Sequence, residues 1–181
     1  MADFNQAILV ILQHEGGWVS NPADPGGETS MGISTLIIKR EKISAQELGI
    51  DPATMYQPGY LKPMKVAAAI AIYKRLFWDR YDYGHLVDQT VATKVFDASV
   101  NCGPKRAHGM IQRAANQCGQ SLQVDGILGP HTLAALNACD PEQLVKAMCQ
   151  QMRMYYTLIS NTNPSLKVFL RNWLKRAAWP G

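Results

Sequence analysis

Apolar residues recur along this chain at helical spacing far more often than they alternate, and that pattern predicts a mainly α-helical fold. Near the start, Phe4, Ala7, Ile8, Ile11 and Leu12 form one apolar stripe, with Asp3 placed as N-cap and Gln6 three residues later. Counted at about 100° per residue, Glu15 lies on nearly the same face as Phe4, Ile8 and Ile11, so a carboxylate occupies the last turn of an apolar stripe. Residues 16–33 are rich in glycine and proline and predict a loop with room for a short hairpin. Ser34 can cap a short helix through Arg40, Ser44 and Glu47 form a capping-box signal ahead of Gly49, and Asp51-Pro52 offers an N-cap with proline at the first helical position. The clearest long helix is expected from Pro63 to Asp79, with Val66, Ala69, Ile70, Tyr73, Leu76 and Phe77 on its apolar face. Further helices are expected from about Thr90 to Gly103, from Pro104 to Gly119, from Pro130, and from Asp140-Pro141 to about Ile159. A final one carries Val168, Phe169, Trp173 and Ala177, flanked by lysines and arginines whose stems either cover a packed rim or meet an anionic surface.

Composition narrows the class. With 181 residues, of which 47% are apolar and 18% charged, the chain suits one globular domain or a domain with a small appended subdomain. No apolar run approaches a membrane span, and the start Met-Ala-Asp-Phe-Asn-Gln lacks a basic region followed by an apolar one. Synthesis in the cytoplasm without a signal peptide, and no stable membrane insertion, are therefore expected. A net charge of +4 favours an anionic polymer, and the basic and aromatic residues do not interleave in one strip as a nucleic-acid binder would require. The four cysteines lack Cys-x-x-Cys spacing and read as reduced core thiols. No nucleophile elbow, phosphate loop or His-Glu-x-x-His run is present, so no metal and no cofactor is implied.

The chemistry-bearing stretch begins at Glu15. Burial among apolar side chains disfavours the charged form of a carboxyl, which is how a general acid comes to hold its proton near neutral pH. Gly16-Gly17 stops the helix and lets a ligand or another chain approach the backbone, and Asp24, Glu28 and Thr29 follow within fifteen residues. The alternative is a glutamate tied to a loop amide or an arginine, with the glycines as a helix cap. Trp78, Tyr81 and Tyr83 could offer a platform to a sugar ring or pack in the core. Asp125-Gly126 makes a turn and Gly129-Pro130 a bend into the next helix, local chemistry that needs no ligand.

The run His14-Glu15-Gly16-Gly17-Trp18, then Asn21-Pro22-Ala23-Asp24-Pro25-Gly26-Gly27-Glu28-Thr29 and Met31-Gly32-Ile33-Ser34, resembles the N-terminal signature of glycoside hydrolase family 108. These are phage-type N-acetylmuramidases, often encoded as endolysins in phages and prophages. Phe96-Asp97, Val100-Asn101-Cys102-Gly103, and Val124 to Pro130 with Thr132 fall in the family's order, and the last third resembles the predicted peptidoglycan domain that accompanies it. The Val124 to Thr132 run is also similar to a turn of small peptidoglycan-binding modules.

The resemblance implies a lysozyme-like helical fold with a loop or small hairpin lining a cleft, a muramidase domain over residues 1–119 and a helical peptidoglycan-domain-like segment over 120–181. It implies cleavage of the β-1,4 bond between N-acetylmuramic acid and N-acetylglucosamine in peptidoglycan glycan strands, with Glu15 as the catalytic acid. A similar Glu, Asp, Thr order in phage lysozymes implies Asp24 as base or electrostatic stabiliser and Thr29 as the hydroxyl that orients water. Glu28 is the alternative second carboxylate, with Asp24 then shaping the loop through an Asx-turn. Asp97 and Asn101 are implied to face the cleft, against the plainer readings of an Asp97 ion pair and an Asn101 helix cap. Trp18 and Trp78 complete the expected substrate contacts, although Trp18 stands where relatives often have tyrosine and Met31 where they often have an aromatic. A lytic transglycosylase using the same Glu15, or a non-catalytic wall-binding or secretion-accessory protein, is the competing reading. Reaching the wall would need a holin pore or a dedicated exporter.

Overall fold

The computed structural model describes residues 1–20 and 27–178. Among the described residues are nine α-helices and one antiparallel hairpin, so the chain is mainly α. It divides into two compact units, one of residues Ile11–Leu76 and one of Met1–Val10 with Phe77–Gly181.

The Ile11–Leu76 unit begins in the last turn of α1 (Phe4–His14) and holds the strands β1 (Thr29–Ser30) and β2 (Ile33–Ser34) and the helices α2 (Thr35–Arg40), α3 (Ala45–Leu48) and α4 (Val66–Tyr73). The short helices start where their caps predict. Ser34 Oγ accepts the Ile37 N–H at 3.3 Å, and Ser44 and Glu47 exchange bonds of 3.2 and 3.0 Å in a full capping box closed by Gly49 at φ 67°. Their inward residues Ile33, Ile38, Ile43, Leu48 and Leu61, with Ile72 of α4, are at most 2% exposed and form the unit's core. The expected 63–79 helix is shorter than its apolar stripe. Residues 59–64 are wound as separate turns, with the Lys62 and Met64 N–H groups on the Gly59 and Leu61 carbonyls, and beyond Tyr73 the chain continues in one π-helical turn over Lys74–Trp78.

The second unit holds α5 (Gln89–Cys102), α6 (Pro104–Gln117), α7 (Pro130–Asn137), α8 (Pro141–Thr162) and α9 (Lys167–Ala178). Asp88 and Asp140 cap α5 and α8 through the Val91 and Gln143 N–H groups, each at 2.9 Å. Every residue of α5 from Val91 to Ser99 is buried, and α6 and α8 pack against this helix while α9 packs on α8. Two of those buried residues are charged. Asp97, 0% exposed, takes a forked bond from the Arg176 guanidinium of α9, with Nε at 2.9 Å and Nη2 at 2.8 Å from Oδ1. Lys94, also 0% exposed, donates to the carbonyls of Arg176 and Ala177 at 2.9 and 3.1 Å and so caps the end of the same helix.

A further buried network ties α6 to its neighbours. The Tyr83 hydroxyl lies 2.7 Å from Ser99 Oγ and 2.8 Å from His108 Nε2, and His108 Nδ1 lies 3.3 Å from the Gly126 carbonyl. Gln112 Nε2 donates to Asp125 Oδ1 at 2.8 Å and to the Ile127 carbonyl at 3.0 Å, while its Oε1 accepts the Gly126 N–H at 2.9 Å. The 125–127 turn is thus clamped onto α6 by two buried side chains. Of the four free thiols, Cys102 and Cys139 are buried, whereas Cys118 and Cys149 are only half-buried.

Two stability predictions follow from these buried polar groups. Replacing Asp97 by alanine strands the nearly buried Arg176 charge and is expected to cost about 3–5 kcal/mol in urea unfolding; a loss below about 1 kcal/mol would mean the guanidinium reaches water instead. Burial pushes the His108 imidazole down from 6.5 to about 4, opposed in part by its bond to the Gly126 carbonyl. The unfolded chain then binds a proton that the fold refuses, so stability is complete above about pH 6.5 and declines as the pH falls towards about 4, by about 3 kcal/mol in all. In His108→Gln, unfolding followed over that window is expected to lose this slope.

Candidate active site

Glu15 extends α1 by one residue, its N–H bonding the Ile11 carbonyl at 2.9 Å, and its side chain is half-buried. Gly16 and Gly17 then leave the helix with no left-handed backbone, and among the described residues a Cβ built on either would meet nothing within 4 Å. The pair is therefore not the left-handed helix cap that two glycines suggest. It leaves open space beside the carboxylate.

The chain returns to this point through the hairpin. Val19 and Thr29 exchange backbone bonds of 2.8 and 2.9 Å, and Thr29 and Ser30 pair with Ser34 and Ile33. Between the strands, Met31 and Gly32 both have positive φ, 46° and 76°, the signature of a type I′ turn. Gly32 is there for space as much as for conformation. A Cβ on it would stand 2.5 Å from Glu15 Oε2 and 2.9 Å from Glu15 Cδ, and would collide with the Tyr73 hydroxyl. That hydroxyl donates to the Met31 carbonyl at 2.8 Å, which holds the non-glycine residue of the turn in its strained conformation. Glu15, Gly32 and Tyr73 thus meet at one point.

Tyr73 is the residue that helical spacing passed over. Its place in the apolar stripe of α4 marks it as core, and at 2% exposure its ring is core, but its hydroxyl reaches the turn opposite Glu15. The available signal was a tyrosine, with a polar tip, at the end of a stripe of alanine and isoleucine.

Glu28 is built into the scaffold. Its carboxylate accepts the backbone N–H groups of Gly59 and Leu61, the latter at 3.2 Å, and lies 3.4 Å from Trp18 Nε1. Its own carbonyl accepts from the Thr35 N–H and hydroxyl at 2.8 and 3.1 Å, and Thr35 Oγ1 accepts the Tyr60 hydroxyl at 2.9 Å. Burial pushes that Tyr60 hydroxyl above its ordinary range, against the lowering effect of the bond to Thr35. Trp18 is 39% exposed, with the Lys62 ammonium 5.7 Å from its ring centroid. Glu15, Trp18, Glu28 and Thr29 therefore belong to one compact unit. Asp24 lies outside the described residues.

The remaining expected contacts lie in the second unit, where two of them, Trp78 and Asp97, are buried. Trp78 is 5% exposed, edge-on to Phe4 and Phe96 at 5.7 and 5.6 Å, so it packs in an aromatic core rather than offering a sugar platform. Asp97 is spent on Arg176 inside the fold. Asn101 accepts the Tyr156 hydroxyl at 2.7 Å and is half-buried, joining α5 to α8. Among the described residues no three His, Cys, Asp or Glu side chains gather as a metal group.

The sequence matches the family model described as glycosyl hydrolase 108 over residues 8–103, and the model described as predicted peptidoglycan domain over residues 106–178. No curated protein sequence matches the chain. Among solved structures, SagA of Brucella abortus superposes with a TM-score of 0.67 at 24% identity, over 96% of this chain and 92% of that one. The likeness establishes a shared fold, the mainly α-helical lysozyme-like architecture expected from the sequence.

Gly32→Ala is the sharpest probe of this arrangement. It is expected to lower stability by about 1–3 kcal/mol, because both the positive φ and the Glu15 and Tyr73 oxygens oppose a side chain there. A thermal melt unchanged from wild type would show that the turn does not sit against Glu15.

Proposed function

This chain belongs to the glycosyl hydrolase 108 family, and from that premise we propose that it is an N-acetylmuramidase, cutting the β-1,4 bond between N-acetylmuramic acid and N-acetylglucosamine with Glu15 as general acid. The observation that carries the reading is the setting of Glu15: a half-buried carboxylate at a helix end, backed by Gly32 and Tyr73 and flanked by two glycines with open space around them. Cleavage needs a proton on the leaving oxygen and either a nucleophile or an activated water at the sugar carbon. Glu15 supplies the proton. Tyr73 acts as a positioning residue, since its bond to the Met31 carbonyl keeps the turn, and with it Gly32, against the Glu15 carboxyl.

Asp24 is our candidate for the base or electrostatic stabiliser and Thr29 for the hydroxyl that orients water. Glu28 is the weaker choice as second carboxylate, because its oxygens already accept two backbone N–H groups. Trp18, half exposed beside Glu28, is the aromatic proposed to meet a sugar ring. The functional division proposed is a catalytic domain over residues 1–119 and a peptidoglycan-domain-like segment over 120–181; the peptidoglycan-domain match begins earlier, at residue 106, and so takes in α6 as well. No helix among the described residues is long and apolar enough to cross a membrane, and passage to the wall is assigned to a holin pore or an exporter.

Digestion of insoluble peptidoglycan, with mass spectrometry of the released muropeptides, tests the assignment. Wild-type protein is expected to release fragments with new reducing ends at muramic acid, and Glu15→Gln to release them about 10²- to 10⁴-fold more slowly. Anhydromuramic products would instead make the chain a lytic transglycosylase. Binding without release by folded wild-type protein would leave a wall-binding or accessory role.

A further inference from the structure

The second unit carries an open groove of about 1000 Å³ between α6 and α8, walled on one side by the 125–127 turn. Four cationic side chains line it: Lys105, Arg106, Arg113 and Arg153. Among the described residues none of the four has an ion-pair partner. The groove also presents apolar surface, with Met154 and Leu158 66% and 60% exposed. Among the described residues Asp125 is the one carboxylate in the lining, and its hydrogen bonds from Gln112 and Ile127 both end on Oδ1. The wall that carries it is preformed. Gln112 and His108 clamp the turn to α6, and Gly126 sits so close to the Lys105 carbonyl that a Cβ would stand 2.5 Å from it.

Several cations, one carboxylate and exposed apolar side chains complement a ligand with several carboxylates, one amine and small aliphatic groups. Resting on the peptidoglycan reading above, we propose that this groove binds the stem peptide of peptidoglycan through its free carboxylates. In the wall the lactyl carboxyl of muramic acid is consumed in the amide to the stem peptide, so the acetamido sugars themselves offer no charge to four cations, whereas a stem peptide with a diamino acid has α-carboxylates, alanine methyls and a free amine. Arginine suits such a partner, because its planar fork matches a carboxylate with two parallel bonds. A nucleic acid would use the cations but would be repelled by Asp125.

The experiment is calorimetric titration of the full chain with the free tetrapeptide Ala-γ-Glu-diaminopimelate-Ala at low salt. Wild type is expected to bind, the double variant Arg113→Gln/Arg153→Gln to bind about tenfold or more weakly, and a tetrapeptide with every carboxyl amidated to lose affinity likewise. Both arginines are exposed, so the variant keeps its fold, and its cleavage of glycan strands stripped of peptide is expected to match wild type. Absence of tetrapeptide binding, equal binding by variant and wild type, or equal binding of the amidated peptide would each overturn the assignment. So would displacement of the tetrapeptide by duplex DNA at lower concentration. The stripped-glycan assay separates the two readings: peptide binding with no glycan cleavage sinks the muramidase and keeps the groove, and cleavage without peptide binding does the reverse.

Discussion

A helix buried along every residue from Val91 to Ser99 has no solvent to answer its charges, and α5 carries two of them. Asp97 and Lys94 must therefore find partners within the protein, and both find them at the end of α9. Burial pushes the Lys94 ammonium below its ordinary range, opposed by nearby Cys149 and Asp97, and its bonds to two helix-terminal carbonyls offset part of that cost. The end of the last helix answers this demand, while its apolar face packs in part, with Trp173 stacked on Tyr156 but Val168 and Phe169 74% and 49% exposed. With α5 fixed at the centre, α6 and α8 pack upon it and define the groove between them.

The Glu15 region follows a different principle. Its core is small, and its shape comes from backbone geometry held by a few polar bonds. Glu28 binds two N–H groups of the 59–61 turn, Thr35 links the Glu28 carbonyl to the Tyr60 hydroxyl, and Tyr73 fixes the Met31 carbonyl. Each bond spans a loop that hydrophobic burial alone would not position.

In the reading proposed above, proton delivery and peptide binding fall to different units on chemical grounds. Delivery of a proton would call for one carboxyl in a set place, and the candidate Glu15 lies where a Cβ on Gly32 would collide with it. Holding a charged, flexible peptide calls for several cations spread along a groove, and the α6–α8 face has them. Neither set of residues substitutes for the other.

The sequence by itself determined whatever depends on residues near each other in the chain. The caps at Ser34, Ser44 and Asp140, the helix stop at Gly49, the Asp125-Gly126 turn and the half-buried Glu15 at the end of an apolar stripe were all legible, because capping, turn conformation and helical facing act over about four residues or fewer. Only the tertiary structure decided which polar groups are spent inside the fold and which remain for a ligand. Asp97 meets Arg176 79 residues away, Tyr73 meets Met31 42 residues away, and Glu28 reaches Leu61 33 residues away, so no local pattern could mark the first as structural, the second as part of the site or the third as scaffold. Trp78 illustrates the same limit, since an aromatic at a helix end reads alike whether its face meets water or, as here, three other rings. Local geometry is set by the torsions and hydrogen bonds of neighbouring residues, whereas the exposure of a side chain is set by whatever distant segment packs over it.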